Sequence, residues 1–458
     1  MNFPAYSAYK DSGVEWLGDV PEHWTLHKLK YIARFSGGGT PSRECLSYWN
    51  GDIPWVSPKD MKVEVIVGAE ENITIEGLQN SATSLVSPGG VLLVVRSGIL
   101  KHTIPVAINN VEVALNQDMK ALRFNPKLAL FNFFCRWVQG FNNELRHAWL
   151  KQGATVESVE QEYLADTVVP MPAIDEQRMI VDFLDQETVR IDALIDEQQR
   201  LIELLKEKRQ AVISHAVTKG IDPAVPMKDS GVEWLGEVPA HWEVGSLTRF
   251  IGPVVDYRGR TPTKVDDGIF LVTARNVRNG RIDYEASEEY ADPESAESLL
   301  ARGRPEIGDL LFTMEAPLGQ VALIDRTDIA LAQRIVKFRG EPSVMRNHYL
   351  MFWFMSANCQ ARLETLATGS TALGIKSSKL GMIECLAPTL SEQDAIISYI
   401  QRESEKNDAL IYEAENVIGL LQERRSALIS AAVTGRIDVR SWQPPAGAPS
   451  HELAQEAV

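Results

Sequence analysis

Residues Lys10 to Trp24 read Lys10-Asp-Ser-Gly-Val-Glu-Trp-Leu-Gly-Asp-Val-Pro-Glu-His-Trp24, and 218 positions later the stretch returns as Lys228-Asp-Ser-Gly-Val-Glu-Trp-Leu-Gly-Glu-Val-Pro-Ala-His-Trp242. Thirteen of the fifteen positions are identical and in register, so the chain is a duplication. Such a period is too long for a solenoid unit and suits a whole domain. Whatever this chain folds into, it does so twice.

The remainder follows the same rule. Residues 25–170 read as a mixed α/β domain, with strand-like Ile53–Ser57, Val63–Val67 and Gly90–Val95, and helical periodicity from Ala129 to Leu145. Residues 243–387 repeat that plan with weaker identity. Leu271–Arg275 answers Trp55–Lys59, Gly308–Met314 answers Gly90–Arg96, Ala330–Gln333 answers Ala114–Gln117, and Gly259–Pro262 sits where Gly39–Pro41 does.

Each domain is followed by a helical block, Asp175–Val217 and Ser391–Val433, with Asp175 and Ser391 as expected N-caps and glycines Gly220 and Gly435 near the ends. About 42 residues make roughly 60 Å of helix. In the first block Leu184, Ile191, Gln198, Leu205 and Val212 fall seven apart, with Ile180, Leu194/Ile195 and Leu201/Ile202 between them. The second places Ile400, Asn407, Ala414, Leu421 and Leu428 on the same grid. The pattern argues for a coiled coil, most simply the two helices packed on each other and holding the domains apart. Gln198 and Asn407 either fix register in the seam or face solvent.

Composition narrows the class. No apolar run approaches a bilayer span, the N-terminus lacks a secretory pattern, and no membrane association is expected. Four cysteines (Cys45, Cys135, Cys359, Cys385) lie far apart without a Cys-x-x-Cys pair, which suits buried free thiols and a cytoplasmic location. The net charge of −16 is unevenly placed: residues 25–170 carry 14 basic and 14 acidic side chains, and residues 243–387 carry 17 and 19. The acid sits in the helices and flanks. Local potential decides attraction to phosphate, so the charge neither proves nor excludes a nucleic-acid partner.

A search for chemistry returns little. There is no Walker-type loop, no His-Glu-x-x-His, no zinc-ligand spacing and no Asn-Pro-Pro-aromatic motif, so neither catalytic residues nor a metal site are expected. His23 and His241 belong to the duplicated motif and read as structural. What remains is polar loop chemistry at matching places. Thr40, Ser42, Lys59, Arg96, Ser97, Lys101, Asn116, Gln117 and Lys120 supply donors in the first domain. Arg258, Arg260, Thr261, Arg275, Asn276, Arg278, Gln333, Arg334, Ser370 and Lys376 supply them in the second. Arg and Lys read guanine or clamp phosphate, and Asn and Gln pair with adenine. Taken singly, each could equally be a surface or capping residue.

At this point the residues carry a family resemblance. The repeated Asp-Ser-Gly-Val-Glu-Trp-Leu-Gly-x-Val-Pro-x-His-Trp stretch resembles the signature of type I restriction-modification specificity subunits. So do the Pro-x-x-x-Glu-Gln helix openings (Pro172 to Gln177, Pro388 to Gln393) and the helix endings Lys206 to Gly220 and Gln422 to Arg436. The resemblance implies an α+β fold of two pseudo-symmetric mixed α/β target-recognition domains separated by two long helices packed as an antiparallel coiled coil. On that plan residues 1–24 and 227–242 are the repeat motifs, and 25–170 and 243–387 are the recognition domains. Residues 171–226 and 388–440 are the helical spacers, and 441–458 form a low-complexity tail expected to be disordered.

It further implies a non-catalytic subunit that reads a bipartite, asymmetric site in double-stranded DNA. Its partners would be two methyltransferase subunits and, for restriction, motor-nuclease subunits. S-adenosylmethionine, ATP and magnesium would belong to those partners. The competing readings are a standalone DNA-processing enzyme with unrecognised motifs and a structural scaffold.

One geometric expectation follows from the duplication. The second motif directly follows the first helix, so the first motif can take the equivalent place only if the chain closes on itself. Trp16 and Trp24 should then pack around Val433 to Ile437, and Trp234 and Trp242 around Val217 to Ile221.

Overall fold

A computed structural model describes residues 3–151, 153, 156–257, 262–369 and 373–443. Its packing divides the chain into two compact units, Met1–Glu197 with Val417–Val458, and Gln198–Asn416.

The repeat motif is a small antiparallel hairpin in each unit. Lys10 pairs with Val20 and Lys228 with Val238. Its polar residues satisfy their own backbone: Asp11 accepts from the Gly13 N–H at 2.8 Å and Asp229 from the Gly231 N–H at 2.9 Å. Lys10 and Lys228 donate to the carbonyls of Trp24 and Trp242. The apolar positions Leu17, Val20 and Trp24, and likewise Leu235, Val238 and Trp242, are buried in their units' cores. Identity at these positions is therefore a packing requirement.

In the first unit a five-stranded sheet runs in the order Ala33–Gly37, Met119–Phe124, Val91–Val94, Val106–Asn109, Val65–Ile66. Val91–Val94 is buried throughout, which is why it shows no apolar alternation. A second sheet orders Ala114–Leu115, Trp49–Val56 and Asn72–Ile73. The second unit has four-stranded counterparts. One orders Val255–Asp256, Ile335–Phe338, Leu310–Thr313, Val321–Leu323, and the other Lys264–Val265, Tyr290–Ala291, Ile269–Val272, Ile329–Leu331. One correspondence matters for the site. Trp55–Val56 runs parallel to Ala114–Leu115, and Leu271–Val272 runs parallel to Ala330–Leu331.

Two local expectations change. The helical stretch Ala129–Leu145 is broken into Phe131–Gly140 and Asn142–Trp149 at Phe141, which sits at φ −109° and ψ 20°. Gly140 passes so close to the C-terminal helix that a Cβ there would lie 2.5 Å from Val433 Cγ2, and the chain turns at that contact. The strand expected over Val63–Val67 is reduced to Val65–Ile66, with Val63 and Val67 exposed.

The long helices run Ile174–Lys219 and Leu390–Val433. Within each unit they are antiparallel. In the first, Asp192 meets Arg425 at 3.0 Å, while Ile180 and Leu184 share a core with Ile429 and Val433. In the second, Arg209 meets Asp408 at 2.8 Å, while Ile213 and Val217 share a core with Ile396 and Ile400. The seam is close to the heptad reading. Leu184, Ile191, Leu205, Ile400, Asn407 and Ala414 are buried; Gln198, Val212, Leu421 and Leu428 are half-buried.

Near both helix ends burial shifts by one residue, to Ile213 and Ile429. A straight helix drifts about 20° per heptad, so the strict grid slips at its end. The capping assignments also move. Asp175 and Ser391 lie inside the first turn, and Thr389 accepts from the Glu392 N–H at 3.4 Å. At the other ends Gly220 and Gly435 adopt φ of 81° and 73°, the left-handed conformation that glycine takes without a Cβ penalty.

The Glu-Gln pair at each helix opening ties the unit together. Glu176 accepts from Tyr6 Oη at 2.7 Å and Trp24 Nε1 at 3.0 Å, and meets His23 Nε2 at 2.8 Å. Glu392 accepts from Trp242 Nε1 and meets His241 Nε2, each at 2.9 Å. Gln177 accepts the Leu130 N–H and donates to the Leu128 and Pro172 carbonyls. Gln393 does the same with Arg346, Val344 and Pro388. One carboxylate holds the motif and the neighbouring amide holds the start of the domain helix.

The chain does close on itself. The Asp438 N–H donates to the Pro4 carbonyl at 2.7 Å, and Tyr9 Oη donates to the Gly435 carbonyl at 3.0 Å. The tryptophan expectation needs dividing. Trp24 and Trp242 pack at the helix ends, beside Gly435 and Gly220. Trp16 packs instead against Trp137, tilted, and edge-on against Phe141, and Trp234 packs tilted against Trp353. Trp16 and Trp234 sit at the hairpin tip and Trp24 and Trp242 beyond its second strand, so the two rings reach different elements.

Candidate nucleic-acid interface

Two parallel strands that end together release two loops at one place. In the first unit those loops begin at Ser57 and Asn116, and the glycine loop after Ala33–Gly37 lies across them. The Gly39 N–H donates to Leu115 O at 2.9 Å and Trp55 Nε1 to Gly39 O at 2.9 Å. A Cβ on Gly38 would lie 2.0 Å from Asn116 O, so only glycine permits the approach. This packing brings Thr40 Oγ1 onto Gln117 Oε1 as donor, both exposed. Ser42 is exposed, and its carbonyl accepts from Trp49 Nε1 at 3.0 Å.

The second unit forms a cleft of about 240 Å³ at the corresponding strand ends, lined by Arg275, Gln333 and Arg334 together with Lys264 and Glu289. Arg334 has φ 83° and neighbouring Ala316 has φ 47°, uncommon values for residues with a Cβ. Arg334 Nε lies 3.1 Å from Glu315 Oε1. Among the described residues Arg275 has no ion-pair partner, and it is exposed.

The other candidates scatter. Lys59 and Ser97 line a separate cleft of about 790 Å³ with Lys62 and Ile99. Ser97 also caps the short helix Gly98–Lys101, where Lys101 is exposed, and Arg96 is exposed just before it. Lys120 donates to Gln161 Oε1 at 3.0 Å, and burial pushes its ammonium pKa down. Arg278 pairs with Asp283 at 3.4 Å, and Lys376 is exposed at the start of the helical turn Ser377–Met382. Arg258, Arg260, Thr261 and Ser370 lie outside the described residues.

Two candidates are corrected. Asn116 is buried, and its Oδ1 accepts the Asp118 N–H at 2.9 Å. Asn276 is fully buried, accepting from Thr273 and donating to the Asp283 and Ser287 carbonyls. Both amides serve their own loops because burial obliges polar groups to pair locally.

Sequence reasoning missed an acid–base pair in each unit. Trp55 N–H donates to Glu71 O and Leu271 N–H to Glu289 O, so the two glutamates occupy matching positions beside the parallel strands. Glu71 holds Arg43 through both carboxylate oxygens, and Arg43 lies 3.8 Å from the Trp49 ring centroid and 5.2 Å from that of Trp55. The Arg43 hydrogen bond holds the Glu71 carboxyl below its ordinary pKa. Lys264 Nζ lies 2.6 Å from Glu289 Oε2. Arg43 and Trp49 are six apart in sequence, but nothing along the chain points from Arg43 to Glu71.

Among the described residues no group of three or more His, Cys, Asp or Glu side chains is placed to hold a metal ion, and no helix is long and apolar enough to cross a membrane. Residues 21–205 match the model of the type I restriction modification DNA specificity domain. Over 209 residues the chain is 33% identical to the EcoR124I/EcoR124II specificity subunit of Escherichia coli, covering 45% of this chain and 51% of that subunit. It thus spans about half the length of that relative. Over 443 residues it is 23% identical to the MjaVIII specificity subunit of Methanocaldococcus jannaschii, covering 92% of this chain and 95% of that one. The fold is similar to a chain in a structure of the type I R-M system described for its assembly and conformational transition. That match has a TM-score of 0.67 at 15% identity and covers 91% of this chain and 99% of the other. In its matched domain, in the repeat of that domain's plan in the second half and in its fold, the chain is similar to type I restriction-modification specificity subunits.

Proposed function

We propose that this chain is the non-catalytic DNA-recognition subunit of a type I restriction-modification complex, reading a bipartite, asymmetric site in double-stranded DNA. The observation that carries this reading is the pair of matching strand-end sites that share a glutamine, Gln117 and Gln333, but differ in the donors around it: Thr40 and Arg43 in one, Arg275 and Arg334 in the other. Like frameworks with unlike donors suit two different half-sites. The bidentate reach of Arg to guanine and Gln to adenine suits base readout.

Catalysis then belongs to the partners. Two methyltransferase subunits would bring S-adenosylmethionine, and motor-nuclease subunits ATP and magnesium. The helices Ile174–Lys219 and Leu390–Val433 act as the spacer that sets the unread gap.

Mapping modified adenines in host DNA with and without the gene tests the reading; a modified bipartite motif that vanishes with the gene is expected. Deleting one heptad from one long helix should change the gap and leave both half-sites unaltered. Methyl transfer or cleavage by the purified chain alone would instead favour a standalone enzyme. A reconstituted complex without sequence preference would favour a scaffold.

A further inference from the structure

The cations at the two strand-end sites are largely neutralised from within. Arg43 is held by Glu71, Lys264 by Glu289 and Arg334 by Glu315. These pairs are solvent-exposed on at least one side, and such pairs add little to stability. The Glu71–Arg43 and Glu289–Lys264 pairs recur at matching backbone positions, each cation two residues after the proline of the glycine loop, and that recurrence calls for another account.

We infer that Glu71 and Glu289 are specificity-determining residues that act by discrimination: each supplies the counter-charge to a cation that would otherwise clamp any DNA phosphate. This deepens the DNA-recognition reading proposed above and rests on it. An unpaired arginine or lysine at the mouth of such a site binds phosphate whatever the sequence, because counterion release rewards every contact alike. A carboxylate beside it cancels that reward and repels the backbone. Only a base edge that offers a donor to the carboxylate, or an acceptor to the cation, compensates for opening the pair. Arg43 is suited to this role because Trp49 and Trp55 hold its guanidinium plane in place whether or not Glu71 is engaged. In the second unit Glu289 lines the same cleft as Arg275, Gln333 and Arg334, so its charge lies among the residues proposed to read bases.

The test uses the full-length chain in complex with its methyltransferase subunits. The probes are a duplex carrying the site found by adenine mapping and a scrambled duplex of equal length. Glu71→Gln and Glu289→Gln should each tighten binding to the scrambled duplex by up to about eightfold in 0.1 M salt, and steepen the dependence of log K on log salt by about 0.9, the value of one phosphate contact. Affinity for the target should rise less, so the ratio between duplexes falls. Glu71→Asp and Glu289→Asp should keep the wild-type ratio. Adding Arg43→Ala to Glu71→Gln should return the salt slope to its wild-type value. Equal change on both duplexes, or no change at an intact melting temperature, would overturn the inference while leaving the DNA-recognition reading in place. A wild-type complex that does not prefer the mapped site would sink that reading and this inference with it.

Discussion

The indole N–H of Trp24 donates to Glu176 Oε1 over 3.0 Å, joining the repeat motif to the first turn of the central helix. The Glu176 side chain is 6% exposed and also receives Tyr6 and His23, whereas among the described residues the Glu392 side chain, 22% exposed, meets Trp242 and His241. Removing a buried acceptor strands its donors. Glu176→Ala should therefore cost about 2–4 kcal/mol of stability, and Glu392→Ala less. Urea unfolding of the two variants checks the order; equal losses would show that the extra donor and deeper burial carry no weight.

Cys135, Cys359 and Cys385 are buried, and burial pushes their thiols well above the ordinary cysteine range; Cys45 is only half-buried. Thiolate is the reactive form. Native protein treated with Ellman's reagent at pH 8 should release one equivalent promptly, from Cys45, and four in denaturant. Peptide mapping that finds label on Cys135, Cys359 or Cys385 in the native state would contradict this burial.

Asn407 is 2% exposed in the C-terminal helix, and its Nδ2 has no hydrogen-bond partner among the described residues. A polar seam residue trades stability for register. Asn407→Leu should raise stability by about 1–2 kcal/mol by removing an unsatisfied donor. A lower urea midpoint would mean that the amide is satisfied in solution.

Arg334 combines φ 83° with exposure at the second cleft. Arg334→Gly relieves backbone strain but loosens the unfolded chain, so stability should stay within about 1 kcal/mol of wild type. Target binding should weaken by about 1–3 kcal/mol if the guanidinium reads a base. A large stability loss with unchanged binding would assign Arg334 to the framework.

Much of this architecture is legible along the chain because its signals are local or repeated. The heptad grid of Leu184, Ile191 and Leu205 marks a buried stripe, since every seventh residue of a helix returns to nearly one face. Its slip to Ile213 and Ile429 is equally a property of helix geometry. The polar loops were harder. Asn116 and Asn276 look like base readers in a string of donors, yet each serves backbone groups of its own loop, and no spacing distinguishes the two uses. Arg43 finds Glu71 only because the strands between them fold back.

By itself the sequence determined that this protein is built twice. It also placed the two long helices and required that the first motif meet the chain's other end, a closure seen where Asp438 meets Pro4. Those conclusions rest on identity at a fixed offset and on helical periodicity, which survive without knowledge of neighbours. The tertiary structure alone decided that Trp24 and Trp242 seal helix ends while Trp16 and Trp234 lie on domain helices. It alone decided that Arg43, Lys264 and Arg334 come with carboxylates attached. Pairing of that kind depends on distances between residues far apart in the chain, and folding sets those distances.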